Sequence, residues 1–87
     1  MITMYIDEEL SLTKEELLGW MSKKFNRLLK EKGYGSTNKF ADAFDFPRAQ
    51  IYAFSMGSLN ITAWSLFKIC EALEVTLEVF FEDLHKS

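Results

Sequence analysis

Ser36-Thr-Asn-Lys-Phe-Ala-Asp-Ala-Phe44, followed by Asp45-Phe-Pro47 and then Arg48-Ala-Gln-Ile-Tyr-Ala-Phe-Ser-Met-Gly57, is the stretch whose reading decides the fold. Ser36 or Thr37 caps a short helix in which Phe40, Ala41 and Phe44 face inward. Ala41 is informative, because a small residue there lets the next helix pack closely. Asp45-Phe46-Pro47 is a turn. Proline suits the first position of a helix, where its missing N–H is not needed, so a third helix is expected from about Pro47 to residue 56. Ile51 and Phe54, three residues apart, are its buried side. Arg48, Ala49, Gln50, Tyr52, Ala53 and Ser55 are left mostly exposed, and Gly57 ends the helix. Two short helices joined by a sharp turn make the pattern of a helix-turn-helix.

Upstream, Thr13-Lys-Glu-Glu16 is a capping box that opens a first helix, and Gly33 is its natural stop. At about 100° per residue, Leu18, Met21, Phe25, Leu28 and Leu29 share one face, with Lys23, Arg27 and Lys30 opposite. Those cations are either a solvated face or a phosphate-facing one. Trp20 lies off the apolar face, towards the lysines, and so wants cover from the chain's own N-terminal arm or from a partner. Residues 1–12 alternate loosely, with Ile2, Met4 and Ile6 on one side. They are expected to form a short N-terminal arm or dimerisation strand, or else a frayed end that packs Ile6 and Leu10 on the bundle.

Downstream, Ser58 to Asn60 is a loop, and Thr62 (or Asn60) caps a fourth helix whose inner face is Ala63, Leu66, Phe67, Cys70 and Leu73. Cys70 reads as a small buried hydrophobe. Trp64 lies off that face. Thr76 caps a fifth helix in which Leu77, Phe80, Phe81 and Leu84 close the core while Val79 points away. The expectation is one compact all-α domain of five helices over residues 13–87, preceded by the arm at 1–12.

The composition agrees with a single globular domain: 87 residues, 48% hydrophobic and 26% charged, with one Pro. One Cys excludes an internal disulfide, and one Cys with one His leaves too few soft ligands for a structural zinc. Neither a metal nor a cofactor is expected. The apolar runs are far shorter than the roughly 18 residues a membrane span needs, and the start is acidic where a signal peptide would be basic. A cytoplasmic protein away from the membrane is the default.

The net charge of −3 is unevenly spread. Residues 1–19 hold one lysine against five acids, residues 20–60 seven bases against three acids, and residues 61–87 two lysines against five acids. A basic middle between acidic ends puts positive charge where the helix-turn-helix lies, and local charge governs an encounter with phosphates. Catalysis finds no support. The adjacent acids Glu8-Glu9, Glu15-Glu16 and Glu82-Asp83 point apart, His85 lies at the chain end, and no nucleophile has a base at matching spacing.

With these residues placed, the chain resembles the Cro and phage-repressor (XRE-like) family of helix-turn-helix DNA-binding domains over roughly residues 22–82. Ser36 to Ala41 is similar to the family's polar cap, two variable residues and Leu-Ala, with Phe40 in the leucine place. Ile51, Phe54 and Gly57 fall at the buried pair and closing glycine of the recognition helix. Leu66-Phe-Lys-Ile-Cys-Glu-Ala-Leu-Glu-Val-Thr-Leu77 follows the family's Leu-Leu-x-Ile-Ala-x-Ala-Leu-x-Val-Ser-Leu run without a gap. The chain departs from the pattern at four places. Pro47 stands at a usual Ser or Thr cap that also touches phosphate, and Ser55 at a common Glu. Ile61 replaces a frequent Pro, and Glu74 a frequent Gly.

The resemblance implies a lambda-repressor-like fold and a regulator that binds double-stranded DNA, with its third helix in the major groove. By position, Arg48, Ala49 and Ala53 fall where relatives read bases, with Gln50 and Tyr52 beside them. Thr37, Asn38 and Lys39, and Ser58 and Asn60, are placed for phosphates. So few contacts suit a homodimer on two half-sites, for which Trp20, Trp64 and Val79 are the spare apolar groups. The competing expectation is a small phage- or plasmid-type interaction module that uses this fold to hold a protein partner. The acidic ends, the thin recognition helix and the unsheltered aromatics favour it.

Overall fold

Phe25 sits at the centre of the molecule with no solvent exposure, its ring 5.5 Å from Phe40 and 5.0 Å from Phe54. Those three rings come from three different helices and set how the helices meet. The computed structural model describes residues 12–84. Five helices follow in order: α1 (Lys14–Glu31), α2 (Thr37–Phe44), α3 (Arg48–Ser55), α4 (Ala63–Ala72) and α5 (Leu77–Phe80). No strand occurs among the described residues. The fold is the all-α, five-helix helix-turn-helix arrangement expected from the sequence. The arm or strand expected over 1–12 lies, apart from Leu12, outside the described residues.

The helix starts follow local chemistry. The Thr13–Glu16 capping box closes on both sides: the Glu16 N–H donates to Thr13 Oγ1 at 3.1 Å, and the Thr13 N–H donates to Glu16 Oε1 at 2.9 Å. Ser36 rather than Thr37 caps α2, and Thr62 rather than Asn60 caps α4. In each case the hydroxyl oxygen accepts the N–H three residues on, at 3.1 Å. Thr76 caps α5 in the same way, accepting the Val79 N–H. Pro47 is the N-cap of α3 rather than its first helical residue. Its ψ of 127° is still extended, and the helix begins at Arg48.

Four helices stop by one device. Gly33, Asp45, Gly57 and Glu74 adopt left-handed φ of 87°, 61°, 75° and 62°. In each case the following N–H donates to a carbonyl five residues back: Tyr34 to Leu29, Phe46 to Ala41, Ser58 to Ala53 and Val75 to Cys70, at 2.8 to 3.0 Å. This closure satisfies carbonyls that a helix end otherwise leaves without partners. Glu74 therefore occupies a left-handed site where the resemblance has glycine.

The core is made by Met21, Phe25, Leu28 and Leu29 of α1, Phe40 and Ala41 of α2, Ile51 and Phe54 of α3, Leu66, Ile69 and Cys70 of α4, Leu73 at its end, and Phe80. Several expectations need correction. Ala63 and Phe67 are expected on the inner face of α4, yet both are exposed, Phe67 at 44%, and Ile69 is buried instead. Leu66, Ile69, Cys70 and Leu73 span a sector only about 100° wide, and Phe67 lies about 60° beyond its edge. Phe44 and Leu77, expected inside, lie at the rim at 39% and 40% exposure; Phe44 closes over Tyr34 and Phe40. Ser55, expected exposed, is buried. Its hydroxyl donates to the Tyr52 carbonyl, and its own carbonyl accepts the Asn26 side-chain amide at 2.9 Å.

Trp20 is not unsheltered. Its ring is half-buried, stacked on Phe81 at 5.8 Å and set edge-on to Phe80 at 6.1 Å. The end of α5 thus supplies the cover that the sequence reading sought from an arm or a partner. That packing widens the buried face of α1 enough to enclose Lys24, whose ammonium reaches Asp83.

Candidate nucleic-acid interface

Ala41 and Ile51 are both fully buried, which draws α2 and α3 together and turns the outer side of α3 to solvent. Along that side Arg48, Ala49 and Tyr52 are exposed, while Gln50 and Ala53 are half-buried. The five expected base-reading positions therefore occupy one short helix, and its N-terminal turn carries the arginine. Pro47 provides no side-chain cap. The first N–H groups of α3 are left for solvent or an anion, at the positive end of the helix dipole.

The Arg48 side chain is already held. Its Nε donates to Asp42 Oδ1 at 2.9 Å and its Nη2 to Asp42 Oδ2 at 2.5 Å, so the guanidinium meets the carboxylate side-on with two parallel bonds. Those hydrogen bonds, with the opposite charge behind them, hold the Asp42 carboxyl below its ordinary value and raise the guanidinium further. Asp42 is not among the site residues expected from the sequence. Its one available signal was position: it lies on the outer face of α2, six residues before Arg48.

At the start of α2, Asn38 and Lys39 are exposed and Thr37 is half-buried. Lys30 of α1 joins Tyr34, Gly35, Ser36 and Thr37 around an open groove beside that helix N-terminus. The Lys30 end of the α1 basic face is thus continuous with the expected phosphate positions. Arg27 is turned elsewhere, towards Glu31 and Asp83. Past α3, Asn60 is exposed. Ser58 is exposed too, but its N–H and its hydroxyl both donate to the Ala53 carbonyl, at 3.0 and 3.1 Å. A phosphate contact from Ser58 would have to displace one of those bonds.

A second surface lies on α4. Trp64 is 67% exposed and stacks on Phe67 at 5.8 Å, with the Lys68 ammonium 5.9 Å from the indole centre. Val79 of α5 is exposed at 38%. Of the three apolar groups expected to be spare, Trp64 and Val79 are open to solvent, whereas Trp20 is engaged by its own chain. Cys70 is buried among apolar groups, which pushes its thiol up to about 11. No helix is long and apolar enough to cross a membrane among the described residues, which also hold no cluster of three or more metal-ligating side chains.

No protein-family model matches the chain, and the curated proteins give no match either. The chain is similar to a solved structure, the crystal structure of a tyrosine-to-phenylalanine mutant of the restriction-modification controller protein C.Esp1396I. The two are 34% identical and superpose with a TM-score of 0.69, over 78% of this chain and 85% of that one. With that identity across most of both chains, this protein belongs to the family of that restriction-modification controller, on a Cro- and phage-repressor-like helix-turn-helix fold.

Proposed function

We propose that this protein is a sequence-specific, DNA-binding transcriptional regulator of the controller type. It lays α3 in the major groove and acts as a homodimer in the cytoplasm. The observation that carries the reading is the outer side of α3. An exposed arginine stands at the first turn of a helix that lacks a side-chain cap, held in place by Asp42 of α2. Relatedness to a restriction-modification controller supports it.

In this reading Arg48 reads guanine through its O6 and N7 acceptors. Ala49 and Ala53 meet thymine methyls, and Gln50 and Tyr52 add polar contacts beside them. Thr37, Asn38, Lys39 and Asn60, with Ser58 once its hydroxyl turns, position the domain on phosphates. The set is thin for one domain, so two copies bind half-sites about one helical turn apart. The exposed Trp64–Phe67 stack and Val79 supply the dimer surface. Selecting bound duplexes from random DNA, with a solution mass measurement, tests this. A two-fold-related sequence bound by a dimer, with affinity falling steeply as salt rises, is the expected result. A monomer that enriches no sequence would instead favour the protein-interaction module, for which the Trp64–Phe67 stack is the supporting feature.

A further inference from the structure

We infer that Asp42 is a specificity-determining residue, which fixes the Arg48 guanidinium so that its outer edge alone meets a base. The inference rests on the DNA-binding reading above, and its foundation is the geometry of one fork. An arginine has five N–H donors on a planar frame. Asp42 occupies the side-on edge, taking one bond from Nε and one from Nη2. The end-on edge, made by Nη1 and the second hydrogen of Nη2, makes no hydrogen bond to the described residues. That remaining edge still presents two parallel donors, the pattern that guanine O6 and N7 accept. Side-on binding by the carboxylate and end-on binding of guanine are therefore compatible, and the carboxylate need not leave.

Two consequences follow from the chemistry. A long side chain at the surface ordinarily samples many rotamers, and ordering it opposes binding. Asp42 orders it beforehand, from the neighbouring helix of the same motif, so the direction of the guanidinium is set by the α2–α3 packing. A free surface arginine also satisfies itself on any phosphate it can reach. The Asp42 negative charge, held against Arg48, opposes a nearby phosphate and lowers sequence-independent attraction at this point of the surface. Exposed ion pairs contribute little to stability as a rule, and this one is assigned a role in recognition rather than in folding.

The test uses the full chain, the duplex that the wild-type protein selects from random DNA, its single-base variants and an unrelated duplex of equal length. With Asp42→Asn, discrimination for guanine at the Arg48 position is expected to fall by roughly three- to tenfold, the worth of one immobilised side chain. Affinity for the unrelated duplex rises. In an Arg48→Ala background the same substitution leaves base discrimination unchanged, which separates positioning of Arg48 from a general charge effect. Asp42→Glu, which keeps the charged acceptor, restores part of the preference. If Asp42→Asn keeps or sharpens the guanine preference, or alters it equally without Arg48, this inference is overturned while the DNA-binding reading stands. A wild-type protein that selects no sequence overturns both.

Discussion

The Lys24 ammonium, on a side chain only 4% exposed, donates to Asp83 Oδ1 at 3.0 Å and ties the middle of α1 to the residues after α5. The indole of Trp20 lies beside it, 5.9 Å from ring centre to nitrogen. A buried ammonium without a counter-charge is costly, so this contact governs how the C-terminal residues dock. The Lys24 hydrogen bond is the largest of the effects that hold the Asp83 carboxyl below its ordinary value of 3.8; the charges of Lys24 and Arg27 add to it. A carboxyl lowered in the folded state contributes stability that is fully present above that ordinary value and is lost as pH falls through the folded one. Thermal melts from pH 7 to pH 2 should therefore show a loss of stability beginning near pH 4 and continuing below it. Asp83→Asn should lower the melting temperature at pH 7 and flatten that acid limb.

Glu74 sits at φ 62°, a left-handed site that side chains resist. The strain amounts to about 1–2 kcal/mol, against which the greater unfolded-state freedom of glycine sets roughly 0.4–1 kcal/mol. Glu74→Gly is expected to stabilise the protein by about 0.5–1 kcal/mol on balance, and chemical denaturation measures it. A loss of stability would mean that the glutamate makes a compensating contact.

How these stops were legible divides along the same line. Gly33 and Gly57 announce themselves, since glycine is the residue that adopts positive φ without strain. Asp45 closes α2 equally well, but an aspartate in a turn signals several conformations. Glu74 was marked only through the resemblance, because nothing in a glutamate's chemistry selects a left-handed site. Caps were legible for the opposite reason: Thr13 and Glu16 complete their box within four residues. What escaped was packing between distant parts. Trp20 and Lys24 are covered because residues 80–83 return to α1, and helical periodicity carries no record of that return. Asp42 escaped because its importance lies across a helix boundary, in the side chain it holds.

Gly57 and Gly33 share a left-handed backbone but not a neighbourhood. A Cβ at Gly57 would meet Ser22 Oγ at 3.4 Å and the Leu18 carbonyl oxygen at 3.5 Å, whereas one at Gly33 meets nothing within 4 Å. Gly33→Ala is expected to cost about 1 kcal/mol from backbone strain alone. Gly57→Ala should cost about as much, because contacts at 3.4 Å and beyond are ordinary van der Waals contact and leave the backbone strain to decide. A markedly larger loss at Gly57 in denaturant melts would show that α3 lies too close to α1 to admit a methyl group.

The stacked Trp64 and Phe67 rings are the largest aromatic surface left open among the described residues. As the proposed dimer surface, Trp64→Ser should shift the solution mass towards the monomer without lowering the helical circular dichroism. Affinity for a two-half-site duplex should fall with it, while affinity for an isolated half-site holds. A variant that remains as dimeric as the wild type would remove Trp64 from the interface.

The central claim is that the outer side of α3 reads DNA, and the most direct measurement is binding of the wild-type protein, Arg48→Ala and Lys39→Ala to the selected duplex across a range of salt. Arg48→Ala should weaken binding by about 1–3 kcal/mol and relax preference at one base pair. Lys39→Ala should weaken all sequences alike and reduce the salt slope by about one. If both variants bind the selected duplex as tightly as the wild type at every salt concentration, α3 and the start of α2 are not the DNA-reading surface.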